Sequence, residues 1–454
     1  MRKESVIFIF LLALFIFGCA EPYPNEVVDV GEQPIEPRAA EQKIVEDTLI
    51  IEVTTTLQKP IVVPEKTDET KFKIFNPRLT YPGAYNGPLY GTSEQVGSAS
   101  MEPYFENLDR NGINFFIGMF GISGEPNIAA LTNDQGLGKI IYAAQKHPGR
   151  IIPFFNPGIG GEEVKKYLGN ELTAMYRNTL TASQKVAGKD FIRGFGEVET
   201  QEWGVRHNDE KVLQLVDLAK SNNINFMYHP VAGKVEDIAK LAEAYPNMNF
   251  IIHMYREDLD NSMPDLIKIL KEHNNVYYSI DAAHIIHIDG DVIYDLDSAN
   301  KQNSINKFVS YYDGKEDLII GNAIKAYKPL VDAVPDKVMW GTEMGPEYSF
   351  DAEVFDRAIK ASRFVIAGFN KEHWEGVGYK NALRVFGEGV IVDSNIEVLD
   401  TSSWVECTDS QMEECDDICE TPDDDVSMTP EQDVCFINCL KEKKCVEVPE
   451  MDVG

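Results

Sequence analysis

The stretch Ile224-Asn-Phe-Met-Tyr-His-Pro230, followed by Val235 to Tyr245 and then Phe250-Ile-Ile-His253, decides the fold. Two short runs rich in β-branched and aromatic residues flank a segment of helical period that stops at Tyr245-Pro-Asn247, so the unit reads as strand, helix, strand. The runs alternate only weakly, as parallel strands buried on both faces do. Outward from this unit the pattern repeats. Further apolar runs occur at Phe72 to Phe75, Ile113 to Phe120, Arg150 to Phe155, Phe191 to Val198, Val276 to Ile280 and Val338 to Thr342. Helical periods separate or follow them at Glu102 to Arg110, Leu137 to Lys146, Glu162 to Val186, Glu210 to Ser221, Met263 to His273, Lys315 to Val334 and Glu353 to Ala367. Eight such alternations over residues 71–392 predict one α/β domain, a (βα)8 TIM barrel. An open doubly wound sheet is the competing architecture, but no G-x-G-x-x-G follows the first run to support a dinucleotide site.

The flanking segments differ in kind. Met1-Arg2-Lys3, an apolar run from Val6 to Phe17, and Gly18-Cys19 have the order of an export signal, and the run is too short to span a bilayer. Ile16-Phe-Gly-Cys19 resembles the lipobox of prokaryotic lipoproteins, which implies a signal over residues 1–19, lipidation of Cys19 and a membrane anchor; an uncleaved or ordinary secretory signal is the alternative. Residues 20–70, rich in Pro, Glu, Val and Thr without a sustained period, read as a disordered tether, although Thr48 to Val63 could add a strand. The expected location is therefore outside the cytoplasm, at the cell surface.

Apart from Cys19, every cysteine lies between Cys407 and Cys445. Cys415-Asp-Asp-Ile-Cys419 and Cys435-Phe-Ile-Asn-Cys439 each place two thiols one helical turn apart, so residues 400–454 read as an acidic helical hairpin stapled by disulfides. Antiparallel helices favour the nested set Cys407 to Cys445, Cys415 to Cys439 and Cys419 to Cys435 among fifteen connectivities. A metal knuckle is the rival reading, disfavoured by the spacing and by the export signal. Such a hairpin is a candidate module for a protein partner. The formal net charge of −32 disfavours nucleic acid and anionic membrane surfaces as partners.

In a barrel of this kind, chemistry gathers where the strands end. From the fourth strand onward those ends read Gly196-Glu-Val-Glu199, Met227-Tyr-His-Pro230, Ile251-Ile-His-Met254, Ser279-Ile-Asp281 and Trp340-Gly-Thr-Glu343. A single histidine at a strand end is commonly a hydrogen-bonded structural residue. His229 and His253, on neighbouring strands, point instead to a shared metal ion or substrate. His207, in the loop after the fourth strand, could line the mouth. His284-Ile-Ile-His287 could add ligands or be a loop feature, and Trp203 and Trp374 read as buried or half-buried aromatics rather than stacking platforms.

Six stretches in order resemble the amidohydrolase-related superfamily of metal-dependent hydrolases and decarboxylases: Gly194 to Glu199, Asn225 to Pro230, Leu241 to His253, Asn275 to Ser279, Asp336 to Glu343 and Asn381 to Gly387. The resemblance implies a small-molecule substrate and a divalent metal, zinc being the first choice. It assigns His229 as the strand-five ligand, His253 as the strand-six histidine and Glu343 as the strand-eight acid, where the family carries Asp. Glu197 is a further candidate ligand. At strand one, where the family has H-x-H, this reading finds Asn76-Pro-Arg78, and a guanidinium there would exclude a cation. Three functions stay open: a remodelled metal site using His229, His253, Glu343 and Glu197; metal-free acid/base catalysis by Glu343 and His229, with Arg78 replacing the metal by pairing with Glu343 or an anionic substrate group; or a catalytically inactive barrel that binds a ligand or partner. No serine-nucleophile motif, P-loop or H-E-x-x-H favours another enzyme class.

Overall fold

The computed structural model describes residues 81–96, 100–121, 131, 136–156, 169–254, 256–286, 301–344, 347–398, 405–419 and 430–446. Eight parallel strands pair in chain order in one sheet: β1 (Leu89–Gln95), β2 (Ile113–Phe120), β3 (Ile151–Phe155), β4 (Gly194–Glu199), β5 (Asn225–His229), β6 (Phe250–Ile252), β7 (Val276–Asp281) and β8 (Val338–Gly341). β1 returns beside β8, where the Thr92 hydroxyl donates to the Trp340 carbonyl at 3.1 Å, bringing the two ends of the sheet together as in a TIM barrel. Helices α1 (Met101–Asn111), α2 (Gly136–Lys146), α3 (Gly169–Ala187), α4 (Glu210–Ser221), α5 (Glu236–Ala244), α6 (Arg256–Glu272), α7 (Ala282–Ile286), α8 (Lys301–Ala333) and α9 (Ala352–Ala367) follow the strands in turn. Local chemistry sets several boundaries. Gly112 closes α1 with a left-handed φ of 69°, while the carboxylates of Asp209 and Asp351 accept from the backbone N–H groups of Lys211 and Glu353 at the starts of α4 and α9.

Two apolar populations account for the barrel. Residues such as Phe195, Val198, Phe226, Tyr228, Phe250 and Ile252 face the helices. A smaller inner cluster of Tyr90, Ile117, Met119, Ile152, Phe154, Met227, Ile251 and Met339 fills the lumen. The end where the strands begin is plugged by α10 (Asn381–Phe386): Phe386 packs against Tyr90 and Phe154, and the Tyr90 hydroxyl donates to the Gly387 carbonyl. The Asn381 amide fixes this plug by donating at 2.7 Å to the carbonyls of Pro335 and Val338. The lumen is therefore closed below, and the buried carboxylates and histidines of the strand ends lie above it.

The sequence reading of the first strand is corrected. The run at residues 72–75 lies outside the described residues, and the first barrel strand is Leu89-Tyr-Gly-Thr-Ser-Glu-Gln95. Only Leu89 and Tyr90 are apolar there, and a register irregularity between Gly91 and Glu94 breaks the alternation, so the segment reads as loop. α8 also begins fourteen residues before the expected Lys315.

At the C-terminus β9 (Val405–Glu406), α11 (Asp409–Cys419), α12 (Pro430–Lys443) and β10 (Cys445–Val446) form a hairpin with its own small core of Phe436, Met412, Leu440 and cysteine sulfur. The disulfides are Cys407–Cys445, Cys415–Cys439 and Cys419–Cys435, the nested set expected from antiparallel helices.

Candidate metal centre at the barrel mouth

The site begins with a bulge in β4. Phe195 lies opposite Phe226 and Val198 opposite Tyr228, so Gly196 and Glu197 together face the single residue Met227. Strict alternation would put Glu197 on the same face as Phe195, among the helices. The extra residue reverses the phase: Val198 takes the outer face, and Glu197 and Glu199 both turn to the lumen. Only glycine fits at the hinge of this bulge. Gly196 has φ of 144°, and a Cβ there would lie 2.3 Å from that of Met227.

The neighbouring strands supply the rest by alternation from the inner cluster. His229 is two residues beyond Met227 and His253 two beyond Ile251; both are buried. The His229 carbonyl accepts from the Thr200 hydroxyl at 2.6 Å, and the His253 N–H donates to the Tyr228 carbonyl at 3.1 Å. A chain of hydroxyls supports His253 from below. Thr92 Oγ1 lies 2.5 Å from Ser279 Oγ, Ser279 donates to Asp281 Oδ1 at 2.8 Å, and Asp281 Oδ2 is 3.1 Å from His253 Nδ1. Past the end of β8, Glu343 adopts the left-handed conformation at φ 51°, uncommon for a residue with a long side chain.

Two sets of potential ligands result. Glu197, His253 and Glu343 form one and Glu197, Glu199 and His229 the other, each with its ligand atoms within 4.8 Å of one another. Glu197 belongs to both. Burial, followed by the charges of Glu199, Glu343 and Asp281, pushes the Glu197 carboxyl well above the usual carboxylate range. Burial together with Asp281 and Glu199 does the same to Glu343. Glu199 is pushed up to about 8, first by burial and then by Glu202. Among the described residues, neither oxygen of Glu197 nor Nε2 of His253 has a hydrogen-bond partner. Buried acceptors without donors, crowded with like charge, fit a divalent cation: it would satisfy the lone pairs and cancel the repulsion. The mixed nitrogen and oxygen donors suit zinc or manganese better than magnesium.

The structure brings four sequence candidates together: Glu197, His229, His253 and Glu343. Cys19, Arg78 and His287 lie outside the described residues, and the backbone of His284 falls within α7. Because β1 starts at Leu89, the placement of Asn76 and Arg78 at the end of the first strand does not stand. β1 itself contains no histidine. His207 does not line the mouth with a free ring: its Nδ1 is 2.7 Å from Asp237 Oδ1, and Arg206 holds the same carboxylate. Trp203 is buried and Trp374 donates to the Phe369 carbonyl, both structural roles. Glu199 and Asp281 were missed as site members. Their position two residues along the lumen face from Glu197 and Ser279 was the available signal.

No family model matches the chain, and no curated protein matches it. Solved structures with low sequence identity do match. One, from Acinetobacter baumannii, named as a probable 2-pyrone-4,6-dicarboxylic acid hydrolase with citric acid bound, is 15% identical over 66% of this chain and 99% of its own, with a TM-score of 0.37. The 5-carboxyvanillate decarboxylase of Novosphingobium aromaticivorans, complexed with manganese, is 10% identical over 69% and 99%, at 0.38. An amidohydrolase from Burkholderia multivorans with bound zinc is 9% identical over 66% and 100%, at 0.36. At these identities and scores no residue role is carried across from them.

Proposed function

We propose that the barrel is a metal-dependent hydrolase of the amidohydrolase type, in which Glu197 belongs to both sets of residues that would hold divalent cations. The observation that carries this reading is the sharing of Glu197 by two three-residue ligand sets among the described residues, with its buried carboxyl crowded by Glu199, Glu343 and Asp281. His253 and Glu343 would complete one site and Glu199 and His229 the other. Such cations, when bound, lower the pKa of a coordinated water and polarise a carbonyl. The chain's own groups then divide the remaining work. Asp281 holds the His253 ring in one orientation, and Glu343, at the mouth, is placed to take up and return a proton. The substrate class that fits is a small amide, ester, lactone or carboxylated ring. The resemblance stated above supports hydrolysis, with decarboxylation as the neighbouring chemistry.

The test is metal content and turnover together. Full-length protein stripped with chelator and reloaded with zinc or manganese should hold two ions per chain, His229→Ala one, and Glu197→Gln fewer than the parent. Turnover of a member of the substrate panel should depend on loading. A parent chain that takes up no stoichiometric metal overturns the proposal and leaves the inactive, ligand-binding barrel.

We also propose that the chain is exported and anchored through Cys19. Support comes from the charged, apolar and small-residue order of residues 1–19 and from three disulfides, which persist in oxidising compartments. Cys19→Ala should move the protein from the membrane fraction to the soluble one; unchanged fractionation refutes the anchor. The hairpin, with a core of its own, would serve as a partner-binding module at that surface, and deletion of residues 400–454 should then change the complexes recovered with the protein.

A further inference from the structure

The opposite end of the barrel, where β4, β5 and β6 begin, holds a cleft of about 620 Å³ beside the α10 plug. Its composition is unusual for a chain of net charge −32: among the described residues the lining includes Arg193, Lys220 and the amides of Asn223, Asn225, Asn247 and Asn249, and no Asp or Glu. Arg193, immediately before β4, is fixed through its backbone. Its carbonyl accepts from the Asn225 N–H at 2.9 Å and from the Asn225 side-chain amide at 2.8 Å, and Asn249 in turn donates to Asn225 Oδ1 at 3.1 Å. The guanidinium itself has no acidic partner among the described residues, and its Nε is buried without an acceptor. Lys220, in the last turn of α4, lies 5.1 Å from the Tyr245 ring centre. Asp217, one turn earlier, is engaged by the Tyr245 hydroxyl at 2.9 Å.

A buried guanidinium Nε–H without an acceptor, in a cleft with a second cation and the amides of Asn223 and Asn247, lacks one thing, an acceptor with negative charge. We propose that this cleft is a binding site for a small oxyanion, a carboxylate or a phosphate, held by Arg193 and Lys220 and bordered by Asn223 and Asn247. The strands carry it away from the mouth, so its ligand is not the substrate of the proposed metal centre. It is an effector or a structural anion that ties the beginnings of β4, β5 and β6 to α10.

Calorimetric titration of full-length, chelator-treated protein with inorganic phosphate and, separately, with succinate tests this. One equivalent of at least one anion should bind, and the two probes tell phosphate from carboxylate. Affinity should fall about tenfold or more in Arg193→Met and in Asn247→Asp, which places a carboxylate in the cleft. Glu197→Gln, at the other end, should leave it unchanged. Asn247 is exposed, so its substitution keeps the test open if Arg193→Met does not fold. The proposal is overturned if neither anion binds below about 10 mM, or if binding survives Asn247→Asp undiminished.

Discussion

Replacement of Gly196 by alanine is the sharpest test of how the site is built. A Cβ at this position would lie 2.3 Å from Met227 Cβ and 3.1 Å from Met227 Cα, with backbone rather than a flexible side-chain end in the way. The φ of 144° adds a conformation that L-residues avoid. Strain of this kind costs about 1–3 kcal/mol and overpacking of a dense core a further 1–3 kcal/mol, so about 4 kcal/mol in total is expected. Gly204→Ala is the matched control. It also has positive φ, at 65°, but nothing within 4 Å of its added Cβ, so only the backbone cost of about 1–2 kcal/mol applies. Urea denaturation of the two variants beside the parent gives both numbers, and metal titration of the folded fraction reports on the carboxylates. Equal losses for the two variants, with metal uptake unchanged, would refute the claim that the bulge at Gly196 turns Glu197 and Glu199 inward.

Further outcomes follow from other parts of the molecule. Burial tends to raise the Asp237 carboxyl, but hydrogen bonds and charge from Arg206 and His207 override it and hold the group down at about 2, against an ordinary 3.8. The stability it contributes is complete above the ordinary value and is lost as pH falls toward the folded one, about 1 kcal/mol of it between pH 5 and pH 3; Asp237→Asn should remove that part of the pH dependence, and an unchanged slope counts against the cluster. Asp281→Asn should weaken metal binding by about 10–100-fold through loss of the oriented His253 ring, with little change in melting temperature; equal affinity would show that Asp281 does not position it. Replacing Cys419 and Cys435 by alanine opens the loop of sequence separation 16 and should cost the hairpin about 3 kcal/mol. The barrel transition should not move, because the hairpin core is separate from the barrel clusters.

Seven of the eight strands were legible because their outer faces pack against helices and carry Ile, Val, Phe and Tyr. β1 was not, since its lumen-facing Thr92 serves the hydroxyl chain under His253 rather than an apolar layer. The disulfide pairing followed from the C-x-x-x-C period together with the nesting that antiparallel helices impose. His229, His253, Glu197 and Glu343 were legible as strand-end polar groups, but their meeting at Glu197 was not, because a bulge is a departure from the very alternation used to read strands. His207 shows the opposite failure: a histidine near the mouth drew a functional reading, while its partner Asp237 stands 30 residues away at the start of α5, where no local pattern connects them.

The crowding of carboxyls at the mouth leads to one more expectation. Two like charges about 4 Å apart repel by about 4 kcal/mol at an effective dielectric constant of 20, and Glu197 meets Glu199, Glu343 and Asp281 together. Its raised pKa has a definite sign. Above the ordinary carboxylate range the unfolded chain ionises this group freely while the folded chain resists, so Glu197 destabilises the metal-free protein at neutral pH, and the effect fades as pH falls through that range. Glu197→Gln should therefore raise the stability of the metal-free chain at pH 7, on the order of 1 kcal/mol, while abolishing the gain in stability that zinc gives the parent. Thermal melts with and without metal at pH 7 and pH 4.5 separate the two effects. A Gln variant that is less stable than the parent without metal would mean that Glu197 has a structural partner, and the crowded carboxyls would then be no argument for a cation.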